Sequence, residues 1–295
     1  NCSQIMSIFS DCKIPPIIGG KFAFNKVPKG IPVSVPSETV SKYKNSIGWS
    51  DFTNYSNESF TKTVLNNIGG KLSTHFTEEE KIVTKKLIIT GELEYKDFQF
   101  MRSLSSLSEL DILGTKITDL SKYLNSFYNL NVLILPANLK LIGDEEFRFN
   151  RNLSKVIIPS SVTSIGELAF SDCVNLTSLN IPESVISIGK SAFYNCCKLD
   201  SIIIPSLVNS IKERTFYGCK ELNYLKLSES ILSIGINAFE GCEKLTYLNI
   251  PDNVKAIEVG AFSYCKSLSS IKIPEGITSI KERSCDLISV QNVNT

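Results

Sequence analysis

Hydrophobic residues recur with one fixed 23-residue period through the second half of the chain. One column of leucines keeps this spacing without a slip, at Leu130, Leu153, Leu176, Leu199, Leu222, Leu245 and Leu268. Isoleucines form a second column, at Ile142, Ile165, Ile188, Ile211, Ile234, Ile257 and Ile280. Phenylalanines form a third, at Phe147, Phe170, Phe193, Phe216, Phe239 and Phe262. This period indicates a repeat protein, because a single unit cannot bury its own apolar columns but stacked units bury them against one another.

Each unit is predicted to be a short strand followed by turns. The copy at residues 242–264 is CEKLTYLNIPDNVKAIEVGAFSY. Its L-x-x-L-x-I piece places alternating apolar residues on one face of a strand, and the proline that follows removes a backbone donor and ends the strand. Seven such units cover residues 130–290. We expect a turn that favours glycine directly after the isoleucine column. The glycines at this position are Gly143, Gly166, Gly189 and Gly235.

The repeat resembles the BspA-like subtype of leucine-rich repeats, which occurs in bacterial and some protozoan surface proteins. The resemblance is carried by the 23-residue length, the Ile-Pro pair that ends the strand, and the sequence ISIGKSAFYNC at residues 186–196. It covers about residues 84–290. It implies an α/β repeat solenoid, a right-handed leucine-rich-repeat stack with a short-strand parallel sheet on one face and turns or short helices on the other.

The asparagine column that is usual in leucine-rich repeats is kept only in part. Asn138 and Asn253 occupy it, and serine replaces asparagine at Ser161, Ser184 and Ser230. We therefore expect no continuous asparagine ladder, although small polar side chains can still bond the loop backbone there.

The chain divides into three parts on this interpretation. Residues 107–295 form the solenoid, and residues 56–106 form a linker and an N-terminal cap. Residues 1–55 resemble the C-terminal closing segment of a preceding leucine-rich-repeat unit.

Local signals support these boundaries. In the cap, Thr77 and Glu80 have the spacing of a capping box, and residues 97–107 are predicted to form a helix. In the first part a helix is predicted over residues 38–45. The large aromatic residues that would pack on the preceding strand are Trp49 and Phe52.

Five of the nine cysteines follow the repeat period, at Cys173, Cys196, Cys219, Cys242 and Cys265. Parallel stacking points the side chains of one column the same way, into the core, where a free cysteine packs as a small apolar residue. We therefore predict buried thiols. The remaining disulfide alternatives are Cys2 with Cys12 and the adjacent pair Cys196 and Cys197. Zinc needs grouped pairs of ligands rather than a regular column, so no metal site is predicted.

Composition narrows the function classes further. Lys and Arg number 31 against 30 Asp and Glu, and the net charge of +1 removes the argument for a nucleic-acid partner. The only histidine, His75, is interpreted as a surface or cap-packing residue rather than a catalytic base. The sequence contains no G-x-G-x-x-G, G-x-S-x-G or H-E-x-x-H motif. No apolar run approaches the roughly 18 residues of a membrane-spanning helix. We therefore predict no enzyme, no cofactor and no membrane span.

The outward positions of the predicted sheet are the third and fifth residues of L-x-x-L-x-I. Isoleucines occupy one half of this face, and neighbouring tyrosines with lysines occupy the other. The candidate binding residues are Ile134, Ile157, Ile203, Tyr224, Tyr247, Lys226 and Lys272. Exposed aromatic residues and contiguous apolar patches are typical of protein-binding surfaces. The alternative is that β-branched and aromatic residues simply suit strands.

The sequence thus predicts a non-enzymatic protein-interaction module. The resemblance implies adhesion, with a host matrix protein or a bacterial surface protein as the partner, and a location at the cell surface or outside the cell. We expect any secretion signal to be absent or already removed. Two alternatives stay open. One is a structural spacer that presents another domain, and the other is a glycan-binding accessory protein in which Tyr224 and Tyr247 stack on sugars.

Overall fold

The computed structural model describes residues 8–9, 16, 27, 33–35, 40–46, 49–50, 60–120, 123–125, 127–283 and 289–292. The fold is a parallel-sheet solenoid of about nine turns, which confirms the repeat architecture that the sequence period predicts. Within these ranges every helix lies before residue 104, and the regular repeats contain turns in place of helices.

The strands and α-helices are numbered separately along the chain. They are β1 (Ile8–Phe9), β2 (Val33–Ser34), α1 (Val40–Lys44), β3 (Phe60–Asn66), a 3-10 helix (Leu72–His75), α2 (Glu78–Val83), β4 (Thr84–Gly91), α3 (Tyr95–Ser103), β5 (Glu109–Thr115), β6 (Val132–Ile134), β7 (Leu141–Ile142), β8 (Lys155–Ile157), β9 (Ser164–Ile165), β10 (Ser187–Ile188), β11 (Ser201–Ile203), β12 (Ser210–Ile211), β13 (Tyr224–Lys226), β14 (Ser233–Ile234), β15 (Ala256–Ile257), β16 (Ser270–Ile273), β17 (Ser279–Ile280) and β18 (Ser289–Asn292).

Two parallel ladders run along the solenoid. The first contains β3, β4, β5, β6 and β8 side by side, then β11 with β13, and β16 with β18 further along. Single bridges join Lys155 to Ser178 and Ser178 to Ser201, so the first ladder continues between β8 and β11. The second ladder contains β7, β9 and β10, then β12, β14, β15 and β17. Each repeat therefore contributes one short strand to each ladder wherever a strand forms.

The leucine, isoleucine and phenylalanine columns form one continuous core. Every leucine and phenylalanine of the columns is at most 1% exposed. Phenylalanine rings of successive repeats stack on one another, as Phe170 does on Phe193, with centroids 5.5 Å apart and ring planes 7° apart. Phe147 begins this ladder with its ring tilted by 30° against that of Phe170. Ile280, on the edge strand β17, is 45% exposed.

A turn follows each glycine after the isoleucine column, but none of these four glycines has a positive φ, and they serve close packing between coils instead. A Cβ added to Gly189 would lie 2.4 Å from the carbonyl carbon of Gly166, because the two backbones approach too closely for a side chain. The left-handed backbone conformation occurs two and six residues further on in each repeat. The first of these columns contains Glu145, Leu168, Ser191, Arg214, Asn237, Gly260 and Arg283, and the second contains Phe149, Asp172, Asn195, Gly218, Gly241 and Tyr264.

The N-terminal cap is organised around the buried carboxylate of Asp97. This carboxylate accepts hydrogen bonds from the backbone amides of Gly70 at 2.7 Å, Leu72 at 2.8 Å and Glu94 at 2.9 Å. A buried carboxylate without such donors is costly, so these bonds tie the loop after β3 to the start of α3. Phe98 of the same helix is fully buried and closes the apolar core at this end.

The helix boundaries in the cap agree in part with expectation. The capping box is confirmed, since the amide of Glu80 donates to Thr77 Oγ1 at 3.2 Å and the amide of Thr77 donates to Glu80 Oε2 at 2.9 Å. The helix expected over residues 97–107 instead spans α3. It ends earlier because Leu104 has an extended backbone, with φ −78° and ψ 93°.

The part before residue 56 contains β1 and β2, which pair in parallel, and α1, which lies within the range expected for a helix. Tyr43 and Trp49 are buried, with ring centroids 4.9 Å apart. The indole N–H of Trp49 donates to the carbonyl oxygen of Pro16 at 3.0 Å. The assignment of residues 1–55 to a preceding repeat unit stays a prediction. Outside the described residues lie Phe52, Cys2 and Cys12.

Candidate binding face

The outward residues of the first ladder form a surface that we call the strand face. Its third-position row is Val132, Lys155, Ser178, Ser201, Tyr224, Tyr247 and Ser270, and its fifth-position row is Ile134, Ile157, Asn180, Ile203, Lys226, Asn249 and Lys272. Strand β8 shows the predicted alternation, because its residues are exposed, buried and exposed in turn. Neighbours within a row are one coil apart, about 4.8 Å, and the two rows are about 7 Å apart along each strand.

The isoleucine half of the strand face consists of Ile134, Ile157 and Ile203. Ile134 pairs in register with Ile157 on the adjacent strand. Ile203 lies two coils beyond Ile157, with Asn180 between them in the row. Ile157 is 42% exposed and Ile203 is 49% exposed. Asparagine and lysine occupy the same row in other repeats, so the fold does not require a large apolar side chain here.

The tyrosine half of the strand face consists of Tyr224 and Tyr247 with the polar residues Lys226 and Asn249, and Asn223 directly precedes Tyr224. Tyr224 is 53% exposed and Tyr247 is 70% exposed, although the two lie one coil apart in the same row. Neither side chain has a hydrogen bond or a ring contact within the described part of the chain.

A second pair of tyrosines shows that the exposure of the Tyr224 and Tyr247 rings does not follow from their spacing along the solenoid. Tyr194 and Tyr217 are also one coil apart, and their rings stack with centroids 4.8 Å apart and planes 9° apart. Spacing by one coil is therefore sufficient for two tyrosines to cover each other. Tyr224 and Tyr247 leave their rings to solvent instead.

The lysines of the strand face are also left without partners. Lys226 and Lys272 have no ion pair among the residues that the structure describes. On the flank of the solenoid, lysines and glutamates of successive coils pair instead, as Lys266 Nζ does with Glu243 at 2.7 Å. This hydrogen-bonded ammonium lowers the pKa of the Glu243 carboxyl below its usual value.

The cysteine column is a ladder of buried hydrogen-bond donors. Each Sγ donates to the carbonyl oxygen of the phenylalanine 26 residues earlier, as Cys196 does to Phe170 at 3.1 Å and Cys242 does to Phe216 at 3.3 Å. Burial raises the pKa of the thiols of Cys196 and Cys242 well above the usual value, so both stay protonated, as a donor must. The prediction of buried thiols is confirmed for the column.

Asn150 precedes Cys173 by one period and makes the equivalent hydrogen bond with an amide in place of a thiol. Its Nδ2 donates to the carbonyl oxygen of Leu124 at 3.1 Å, again 26 residues earlier. The sequence interpretation missed this ladder, and the signal that identifies it is an asparagine at the head of a cysteine column. No disulfide forms between Cys196 and Cys197, which are both free thiols.

The loop column that combines asparagine with serine also bonds the backbone, as predicted. Ser161 Oγ lies 2.7 Å from the carbonyl oxygens of both Ala137 and Leu139 and donates its single hydrogen to one of them, and Asn253 Nδ2 donates to the carbonyl oxygen of Glu229 at 2.7 Å. The column is interrupted at residue 207, where an exposed leucine stands, so no continuous asparagine ladder forms.

The structure places His75 at the end of the 3-10 helix of the cap, where it is exposed. In the described ranges, no group of three or more His, Cys, Asp and Glu side chains is arranged to hold a metal ion. The helices within those ranges also lack the length and apolar character needed to cross a membrane.

A stack of short repeated coils with a parallel sheet along one side is the architecture of a leucine-rich-repeat protein. The amino-acid sequence matches the family described as BspA type leucine rich repeat region over residues 78–199 and 186–295, with six copies of the repeat. The chain belongs to this family, which confirms the resemblance that the repeat motif indicated.

Solved structures agree on the fold. A leucine-rich repeat protein from Bacteroides ovatus ATCC 8483 is 20% identical, with 98% of this chain and 92% of that chain covered and a TM-score of 0.51. A leucine-rich repeat protein from Eubacterium ventriosum ATCC 27560 is also 20% identical, with 97% and 83% covered and a TM-score of 0.51. A comparison with curated protein sequences finds no match.

Proposed function

We propose that this protein is a non-enzymatic adhesion module, located at the cell surface or secreted, that binds host matrix or bacterial surface proteins through the strand face. The observation that carries the proposal is the isoleucine half, where Ile157 and Ile203 are 42% and 49% exposed on a sheet whose inward side is fully packed. Ile134 and Ile157 adjoin in register, and adjoining exposed apolar side chains are a feature of protein-binding sites. The packed core already orders the backbone of the strand face, so binding costs little additional backbone conformational entropy.

The test compares two pairs of substitutions of equal chemistry. Ile157→Ser with Ile203→Ser removes the apolar surface of the strand face. Ile186→Ser with Leu232→Ser is the matched control, because these residues are 55% and 50% exposed and border the second ladder instead. Binding is measured by biolayer interferometry on immobilised collagen and laminin and on whole bacterial cells. We expect the first pair to weaken binding by about tenfold or more and the control to leave it unchanged.

Equal binding by both variants contradicts the proposed role of the strand face. Failure of the unaltered protein to bind any of these probes contradicts adhesion and favours the structural spacer. The proposed location is tested separately by protease treatment of intact cells of the source organism, which should remove the protein while a cytoplasmic marker survives.

A further inference from the structure

The tyrosine half of the strand face has aromatic surface that the fold does not use. Tyr247, at 70% exposure, is the most exposed of the large apolar side chains that the structure describes. Tyr224 and Tyr247 contact no other ring, whereas Tyr194 and Tyr217 at the same spacing stack on each other. Two separate rings, about 4.8 Å apart along the solenoid axis, thus offer successive platforms to a ligand that runs along that axis.

The amides beside these rings are also unused. Asparagines on the flank of the repeats bond the preceding coil, as Asn152 Nδ2 does to the carbonyl oxygen of Tyr128 at 2.6 Å and Asn175 Nδ2 does to that of Arg151 at 2.8 Å. The side chains of Asn223 and Asn249 are exposed and make no such bond within the described ranges. Each therefore keeps two donors and an acceptor for a ligand.

The composition of this half favours one class of ligand. Beyond Ile203, the outward residues of the two rows are only tyrosine, lysine, asparagine and serine, as the rows show at Tyr224, Lys226, Tyr247, Asn249, Ser270 and Lys272. A pyranose ring has an apolar C–H face and a border of hydroxyl groups that both donate and accept. The C–H face of the sugar can stack on the exposed tyrosine rings, and its hydroxyl groups can form hydrogen bonds with the asparagine amides and the lysine ammonium groups.

We propose that the tyrosine half binds a saccharide chain carried by the partner of the strand face, with about one sugar ring on each of the two tyrosine coils. The proposal rests on the proposed function, because it names the chemistry of the second half of the same surface. Binding of a free oligosaccharide requires no protein partner, so the two proposals can be tested apart.

The experiment measures saturation transfer in proton NMR from the intact chain to lactose, N,N′-diacetylchitobiose and sialyllactose. Tyr224→Ala with Tyr247→Ala should abolish transfer to the C–H protons of the sugar that binds. The matched control is Tyr128→Ala with Tyr264→Ala, since these tyrosines are 61% and 59% exposed and lie outside the two rows. All variants should melt within a few degrees of the unaltered protein, because the substituted side chains are exposed.

Asn249→Leu should weaken binding of the same sugar by about tenfold while both rings remain, because the amide bonds are lost. No transfer to any of the three sugars, or transfer that survives the loss of both strand-face tyrosines, overturns the inference. The Ile157→Ser and Ile203→Ser variant should retain sugar binding. Sugar binding without protein adhesion therefore supports the inference while contradicting the proposed function. Protein adhesion without sugar binding supports the proposed function while contradicting the inference.

Discussion

Phe193→Ala is expected to lower the free energy of unfolding by about 3–5 kcal/mol. The ring is fully buried and has a stacked neighbour on each side, with centroids 5.5 Å from Phe170 and 5.3 Å from Phe216. Backbone hydrogen bonds between coils hold those two neighbours at fixed spacing, as the amide of Phe193 donates to the carbonyl oxygen of Thr215 at 2.9 Å. The cavity therefore collapses little, and the cost should fall in the upper half of this range.

Phe147→Ala is the matched control for the stacking contribution. Phe147 is also fully buried, but the structure gives its ring a single aromatic neighbour, Phe170, at a tilt of 30°. One aromatic pair contributes about 0.5–1.5 kcal/mol beyond burial, so Phe147→Ala should cost less than Phe193→Ala by about that amount.

Urea denaturation followed by circular dichroism measures both costs. Repeat arrays can unfold without full cooperativity, so the midpoint and the slope of each transition are compared between variants before free energies are assigned. A loss below about 1.5 kcal/mol for Phe193→Ala would mean that the coils close the cavity and that the ring ladder is not rigid. A cost for Phe147→Ala equal to or larger than that for Phe193→Ala would refute the stacking contribution.

The backbone, the thiols and the cap each give one further prediction. Arg214→Gly should raise stability by about 0.5–1 kcal/mol, because Arg214 has a φ of 52° that costs about 1–2 kcal/mol and glycine offsets only part of this gain through its freedom in the unfolded chain. Arg151 has no positive φ, so Arg151→Gly should instead lower the melting temperature. Equal effects of the two changes on the melting temperature would contradict the cost assigned to the positive φ of Arg214. Iodoacetamide at pH 8 should label Cys197 in the native protein and the column cysteines only after denaturation, as mapped by peptide mass spectrometry, and native labelling of the column would exclude a buried thiol ladder. Burial alone raises the pKa of Glu80, but hydrogen bonds, that of Lys62 first among them, outweigh it and lower the pKa below its usual 4.5. The stabilisation from Glu80 is therefore complete above pH 4.5 and is lost as the pH falls through the lower folded-state pKa, so melting temperatures of Glu80→Gln and the unaltered protein should differ at pH 7 and converge in acid.

The fold was predictable because each inward column repeats one residue type. A leucine, isoleucine or phenylalanine at the same place in every unit leaves few arrangements other than a stack of coils. The backbone turns were not predictable in the same way, since residues such as Leu168 and Arg214 adopt the left-handed conformation with no glycine to mark it. The length of the last coil was not predictable either. β18 pairs with β16 through Ser289 and Ser270, which are closer together in the sequence than one full period.

The position of the strand face was predictable from the sequence, but the open arrangement of its tyrosine rings was not. The alternation of the strands identifies the outward rows, and the exposed fractions of Ile203 and Tyr224 agree with it. Nothing in the spacing separates Tyr224 and Tyr247 from Tyr194 and Tyr217, because the members of both pairs are one period apart. Only the structure shows that one pair is stacked and the other is open, since that difference depends on where each row lies around the coil.

The thiol ladder gives the stack a direction. Every cysteine of the column donates to the coil before it, and Asn150 does the same. Each thiol thus finds its acceptor carbonyl in the coil that precedes it, so removing coils from the amino end orphans buried S–H donors. Backbone amides of the phenylalanine column donate in the opposite direction, as the amide of Phe193 does to Thr215 in the following coil. A shortened stack therefore needs a cap at both ends, because each new end would leave buried donors without acceptors.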